Sequence, residues 1–400
     1  MRPFTFDIPT RVTFGAGAVE SIGAAVAAEG AKALVVTGAT FARRSGLINT
    51  IRSALEDAGV GVAVFDGVEP NPRAAAIDRG GDVARDVGAD VILGLGGGSA
   101  LDAAKAIAVA AADAMPIWEH VAYGRPRPAP ITAALPVIQV PIVASTGSEV
   151  NDQAVLFNAE QRVKAPIRSP HMQARSAIID PTLTFTVPPR FTAVGGMNIV
   201  SQMLESYLTS DEFVVTDRIA EGLMRGVFDS LPRALRRGED LEARTNLSWS
   251  AVMAVTAATA GRASTAPLRS MAMPINAFYS VDHGFAVSAL WPSFMRYSLN
   301  QRRRLPAVAR FKRYALLGRQ IFGVHETDDE VAAEMTSYRF ANWLRNMNMP
   351  TSLTQLDIAG IDTAALAQQA VDVWGNGRKL PSGLTVEDIE HIYEGAMRPD

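Results

Sequence analysis

Residues 89–112 constrain this chain more than any other stretch. A short apolar run, three glycines, a serine and an alanine-rich segment follow one another without interruption. Residues 91–95 have the length and side chains of a buried strand, and residues 100–112 those of a helix. Gly96, Gly97 and Gly98 form the turn between them. Without Cβ atoms, one side of that turn is bare backbone, and a ligand can reach its N–H groups. Ser99 is placed to cap the helix, and Asp102, three residues on, to complete a capping box. A helix N-terminus offers free N–H groups and a positive dipole end, which suits an anion, phosphate above all. A turn alone needs one glycine. Three of them, in the order strand, glycines, helix, predict a phosphate loop.

The segments before and after this unit repeat the alternation. Residues 11–14, 33–37, 60–65 and 137–143 read as extended, and residues 19–28, 47–58 and 73–87 as helical. Such alternation predicts a doubly wound, Rossmann-like parallel sheet, with its ligand at the carboxyl ends of the strands. Those ends carry Gly38, the glycine loop and Ala144-Ser145-Thr146-Gly147-Ser148, which makes Gly38, Ser145 and Thr146 further candidates. The character changes at Asp180-Pro181 and Pro188-Pro189, where paired prolines resist helix and suit a boundary. Beyond it helical periodicity dominates, over 192–208, 216–231, 241–260 and on to 396. The expected class is α/β plus all-α, with an α/β domain over 1–185, an all-helical domain over 186–400, and a small-molecule site between them.

A chain of 400 residues is long enough for about two such domains. Its net charge of -3, with 48% apolar and 20% charged residues, gives no footprint for nucleic acid or a membrane surface. No apolar stretch has the length of a membrane span, and the first residues lack the apolar core of a signal peptide. A cytoplasmic location is the expectation. The absence of cysteine excludes disulfides, thiolate metal ligands and a thiol nucleophile.

Taken together, several motifs resemble the iron-containing (group III) alcohol dehydrogenase family, butanol-dehydrogenase-like members included. They are Phe14-Gly15-Ala16-Gly17, Pro70-Asn71-Pro72, Gly96-Gly97-Gly98-Ser99 with Asp102 and Lys105, Thr146-Gly147-Ser148-Glu149, Ile179-Asp180-Pro181 with Pro188-Pro189, and Asp282-His283-Gly284. Their order and spacing carry the resemblance over nearly the whole chain. It implies the dehydroquinate-synthase-like two-domain fold, a nicotinamide dinucleotide on the first domain and a catalytic divalent metal among the helices. It further implies that Gly97, Gly98 and Ser99 hold the pyrophosphate and that Asp102 and Lys164 line the dinucleotide. Asp102 retains its alternative reading as a helix cap.

Many NAD-preferring members of that family carry an acid directly after the first long strand, where this chain has Gly38. Without that carboxylate a 2′-phosphate is not repelled, and Arg43 and Arg44 stand a few residues on, able to pair with it. NADPH is therefore the expected cofactor, with NADH as the alternative. Both arginines read equally well as solvated surface charges.

The implied metal site departs from the family. Its four ligands there are an Asp, a His four residues later on one helical face, and two His fourteen apart. The corresponding residues here are Asn198, Gln202, Arg269 and His283, and a further family histidine is replaced by Met273. Amide oxygens are poor ligands for zinc or ferrous iron, and a guanidinium cannot ligate at all. No metal is expected.

Three functional readings follow. The first is a metal-independent NAD(P)H-dependent oxidoreductase interconverting an alcohol and an aldehyde, ketone or keto acid. Arg269 would stabilise the developing oxyanion or clamp a substrate carboxylate, His283 would donate the proton, and Asn198 and Gln202 would hydrogen-bond the substrate. The second is a dinucleotide-binding homologue without redox turnover. The third is a redox-neutral isomerase or lyase reusing the pocket. The partners expected are a small-molecule substrate and a second copy in a homodimer, with neither nucleic acid nor membrane.

Overall fold

The computed structural model describes residues 3–38, 46–124, 127–262, 267–300, 307–375 and 377–398. Two compact units emerge, one comprising Asp7–Val187 and Gly238–Val252, the other Pro188–Arg237 and Met253–Asp400 with the N-terminal stretch to Phe6.

In the first unit the strands are β1 (Arg11–Phe14), β2 (Lys32–Gly38), β3 (Gly61–Val68), β4 (Val91–Gly96), β5 (Val137–Pro141) and β8 (Ser176–Ile179), with a hairpin of β6 (Gln153–Asn158) and β7 (Val163–Arg168). Helices α1 (Ile22–Ala27), α2 (Leu47–Asp57), α3 (Ala74–Asp86) and α4 (Gly98–Ala112) alternate with them. The sheet has the order β1-β8-β5-β4-β2-β3 and is parallel throughout. β4 and β5 are buried along their whole length, which is why they read as unbroken apolar runs rather than alternating ones. Val35, Leu93, Val140 and Ile178 from the sheet share one core with Ile22 and Leu55 from the helices. Each such aliphatic side chain contributes about 1.5–3 kcal/mol by leaving water. The chain runs outward from β2 to β3 and then returns past β2 to β4. The reversal makes the β2/β4 junction the switch point of the sheet, and the carboxyl ends that meet there belong to Gly38 and Gly96.

The second unit is helical among its described residues: α5 (Pro189–Thr209), α6 (Val214–Arg236), the last residues of α7 (Leu241–Val255), α8 (Pro267–Tyr279), α9 (His283–Asn300), α10 (Ala307–Ile321), α11 (Asp329–Asn346), α12 (Thr363–Trp374) and α13 (Val386–Ala396). A buried polar knot holds α5, α6 and α10. Asp217 accepts both terminal nitrogens of Arg313, at 2.7 and 2.9 Å, together with Arg262, while Arg313 also caps the Tyr207 carbonyl. Among the described residues no helix is long and apolar enough to cross a membrane.

Three sequence expectations differ from this fold. Pro188-Pro189 opens a helix instead of resisting one: Pro188 is the cap and Pro189 the first helical residue, where a proline loses no hydrogen bond. The helix expected over 241–260 ends at Val255, and most of it groups with the α/β unit, where Trp249 meets Phe14 edge-on at 5.0 Å. The hairpin β6–β7 had no counterpart in the sequence reading.

Candidate active site

The glycine loop is built differently at each of its three positions. Gly96 ends β4 at φ 156°, and a Cβ there would lie 2.6 Å from the Cβ of Ala100, so the fold itself demands glycine. Gly97 has an ordinary extended backbone, and its Cβ would find nothing nearer than Val143 Cγ2 at 3.8 Å. Nothing in the protein requires glycine at 97, and the cradle that a side chain would fill is the space a ligand phosphate needs. At Gly98 a Cβ would stand 3.0 Å from Thr146 Oγ1, which places the Thr146 side chain directly against the loop.

Helix α4 starts at Gly98 with Gly97 as its cap residue and no side-chain cap hydrogen bond. The capping box expected of Ser99 and Asp102 is therefore absent. The helix begins earlier than Ser99, and both side chains are committed elsewhere. Ser99 Oγ accepts the backbone N–H of Asn71 at 3.4 Å. Asn71, held at φ 61° between two prolines, in turn accepts Lys164 Nζ on its Oδ1 at 2.7 Å. Three segments far apart in sequence thus meet beside the loop, and the buried Lys164 reaches it from β7.

Asp102 faces the hairpin. Its two oxygens accept Ser148 Oγ at 2.5 Å and the Val155 N–H at 2.9 Å. Fully buried Lys105, one turn on, donates to the Ser148 carbonyl at 2.9 Å, to Asn151 Oδ1 at 2.8 Å and to the Gln153 carbonyl. Burial lowers the Lys105 pKa, opposed first by Asp102. Burial also pushes the neighbouring Glu149 carboxyl up to about 7. The role of these residues is to fasten the hairpin to the helix that carries the loop. Ser145 is buried in the loop that follows β5. Gly38 closes β2 with room for a side chain, the nearest atom to a Cβ being the Val68 carbonyl oxygen at 3.5 Å. Arg43 and Arg44 lie outside the described residues.

In the helical unit Asn198 and Gln202 stand one turn apart on α5, Asn198 buried and Gln202 half-buried. The Gln202 amide donates back to the Asn198 carbonyl at 3.3 Å. His283 is the first residue of α9, half-buried. The turn before it is held by an Arg190–Asp282 ion pair at 2.9 Å and by Asn276 bonding the Val281 carbonyl. Gly284 lets α9 press on α5, since a Cβ there would sit 2.7 Å from the Val194 carbonyl oxygen. Arg269 is half-buried near the start of α8, and its N–H donates to Glu205 Oε2 at 3.5 Å. Glu205 is 2% exposed, and burial pushes its carboxyl up to about 7 against the opposing charge of Arg269. Sequence reasoning missed Glu205 and Asn71. The first was signalled by a charge in an apolar helical run, the second by its place between two prolines.

The donor chemistry of Asn198, Gln202, Arg269 and His283 does not fit a zinc or iron ion: two neutral amides, a fixed cation and one imidazole. Among the described residues no group of three or more His, Cys, Asp or Glu could hold a metal.

Two family models match the chain, iron-containing alcohol dehydrogenase over residues 9–181 and the C-terminal region of the same family over 192–397. The NADH-dependent butanol dehydrogenase A of Clostridium acetobutylicum is 30% identical over 98% of this chain and 99% of its own length. The NADPH-dependent aldehyde reductase YqhD of Escherichia coli is 26% identical over 99% of this chain and all of its own. The crystal structure of a Thermotoga maritima NADH-dependent butanol dehydrogenase A superposes with a TM-score of 0.91 at 28% identity, covering 100% of this chain and 99% of that one. The expected family and fold class are borne out: this chain belongs to the iron-containing alcohol dehydrogenase family and is an alcohol-dehydrogenase-like oxidoreductase.

Proposed function

We propose that the chain interconverts small alcohols and their carbonyl compounds with NADPH, and does so without a divalent metal. The observation that carries this reading is the polar set Asn198, Gln202, Arg269 and His283, which keeps hydrogen-bonding and charged groups yet has no donor set for the ion. The dinucleotide is held by Gly97, Gly98 and Ser99 at the α4 N-terminus, with Thr146 and Lys164 beside them. Bound there, it supplies a hydride to the carbonyl carbon and takes one back in the reverse direction. The carbonyl oxygen then carries negative charge. Arg269 stabilises that charge, Asn198 and Gln202 orient the substrate, and His283 delivers the proton that completes the alcohol. Gly38, lacking a carboxylate, favours the 2′-phosphate of NADPH. The relatives divide on this point, some being named for NADH and one for NADPH.

The test is oxidation of NADPH and NADH over a panel of aldehydes, ketones and keto acids, with elemental analysis of the purified protein and with EDTA present. Turnover that survives EDTA in protein free of stoichiometric zinc and iron supports the reading. One bound metal per chain whose removal stops turnover refutes it. The loss of all but one imidazole from the metal positions also supports a second reading, dinucleotide binding without redox turnover. Tight binding of NADPH with no oxidation by any panel substrate would establish that one.

A further inference from the structure

Asn198, Gln202 and Glu205 lie at i, i+4 and i+7 on α5, and so on one face. Glu205 is the only acidic residue of that helix, and its neighbours from Met203 to Tyr207 are all buried. A carboxylate in such surroundings is costly unless something of opposite sign answers it. Three things do, the Leu268 N–H and the two groups of Arg269 that follow, and all belong to the same turn of α8. The Arg269 N–H meets Oε2 at 3.5 Å, and the Arg269 charge acts on the same carboxylate. The other oxygen, Oε1, is buried with no hydrogen-bond partner among the described residues, so the group is not spent on another element. The Glu205 carbonyl itself accepts Thr209 Oγ1, one turn on, at 2.7 Å.

We propose that Glu205 is the positioning residue of Arg269: from α5 it anchors the first turn of α8 and so sets where the guanidinium stands relative to Asn198 and Gln202. This rests on the reading of Arg269 as the group that stabilises the oxyanion. An amide or hydroxyl could accept an α8 N–H equally well. Only a carboxylate also acts on the charge of Arg269, so the two roles separate experimentally.

The experiment makes two measurements, Arg269 labelling on wild type and E205Q, and turnover on these two, R269A and the double variant. One is the rate at which phenylglyoxal modifies Arg269, read by peptide mass spectrometry. The other is kcat and KM for butanal reduction by NADPH. With the carboxylate charge removed and the backbone hydrogen bond still possible, E205Q is expected to label Arg269 several-fold faster and to lower kcat about tenfold, with KM for the dinucleotide unchanged. In the R269A background E205Q should cost nothing further, because the coupled partner is already gone. E205D, which keeps the charge, should recover part of the loss, and E205M, uncharged and similar in length, takes the place of E205Q should that variant not fold. Unchanged labelling, or losses that multiply in the double variant, would overturn the proposal. Absence of turnover in the wild type would instead sink the proposed function, while the labelling rates still decide whether Glu205 holds Arg269.

Discussion

The loop on the α/β unit and the polar set on the helical unit serve chemistry in opposite ways. The loop presents main chain: Gly97 is bare, the α4 cap carries no side-chain bond, and Asn71 and Lys164 frame it through hydrogen bonds of their own. What it offers a ligand follows from the path of the backbone, and a side chain can only block it. The polar set presents side chains on α5, α8 and α9, and what it offers changes whenever one residue does. A site made of backbone is fixed with the fold, whereas a site made of side chains is written residue by residue. Family membership therefore speaks strongly about the first region and weakly about the second.

The largest effect is expected where the backbone is covered. Gly97→Val puts its Cβ where the protein leaves room, so the melting temperature should hold while the NADPH dissociation constant, read by calorimetric titration, rises at least about a hundredfold through lost charge-assisted N–H contacts. Unchanged affinity in the folded variant would break the comparison by showing that the loop is not the binding surface. Next comes the side-chain region. Arg269→Ala should lower kcat for carbonyl reduction on the order of a hundredfold with the dinucleotide affinity intact. Arg269→Lys should recover only part, since an ammonium keeps the charge and loses the planar fork. Equal turnover in wild type and Arg269→Ala would remove that residue from the mechanism.

A smaller effect sharpens the contrast within the α/β unit. Gly38→Asp places a carboxylate at the end of β2 and should move the NADPH-to-NADH ratio of kcat/KM about tenfold towards NADH by like-charge repulsion. A wild type that already favours NADH would contradict the premise. The smallest concerns stability. Glu149, with its carboxyl raised to about 7 from 4.5 by burial, favours folding fully only below about pH 4.5 and loses that contribution as the pH rises to about 7. The melting temperature of the wild type should fall over this window, and Glu149→Gln should flatten the fall. An identical slope in both proteins would show that Glu149 does not titrate in this way.

The sheet was legible because β2, β4 and β5 are buried on both faces and so carry a continuous apolar signal. The glycine loop was legible because main-chain sites leave glycines in the sequence. What escaped depends on partners distant along the chain. Asp102 reads as a cap by its spacing, yet its carboxylate is taken by Ser148 and Val155, which no local pattern announces. The grouping of α7 with the α/β unit turns on Trp249 meeting Phe14, a contact across more than half the chain. Glu205 stands out as a charge in an apolar helical run, but its partner could not be read, because it lies in the start of another helix. The four residues at the metal positions were found only through the family resemblance, since their spacing alone marks no chemistry.

Asp102 and Lys105 have a consequence for how this molecule breathes. One turn of α4 holds β6 and the segment leading into it through bonds to Ser148, Asn151, Gln153 and Val155. Opening the hairpin takes the Gln153 carbonyl from a buried ammonium and the Val155 N–H from Asp102, and so couples it to α4. Cooperative units of this kind exchange their amide hydrogens as one. A dinucleotide resting on the backbone at Gly97, with Lys164 of β7 beside it, would therefore slow exchange along β6 and β7 as well as in the loop, including at hairpin residues that lie away from the occupant.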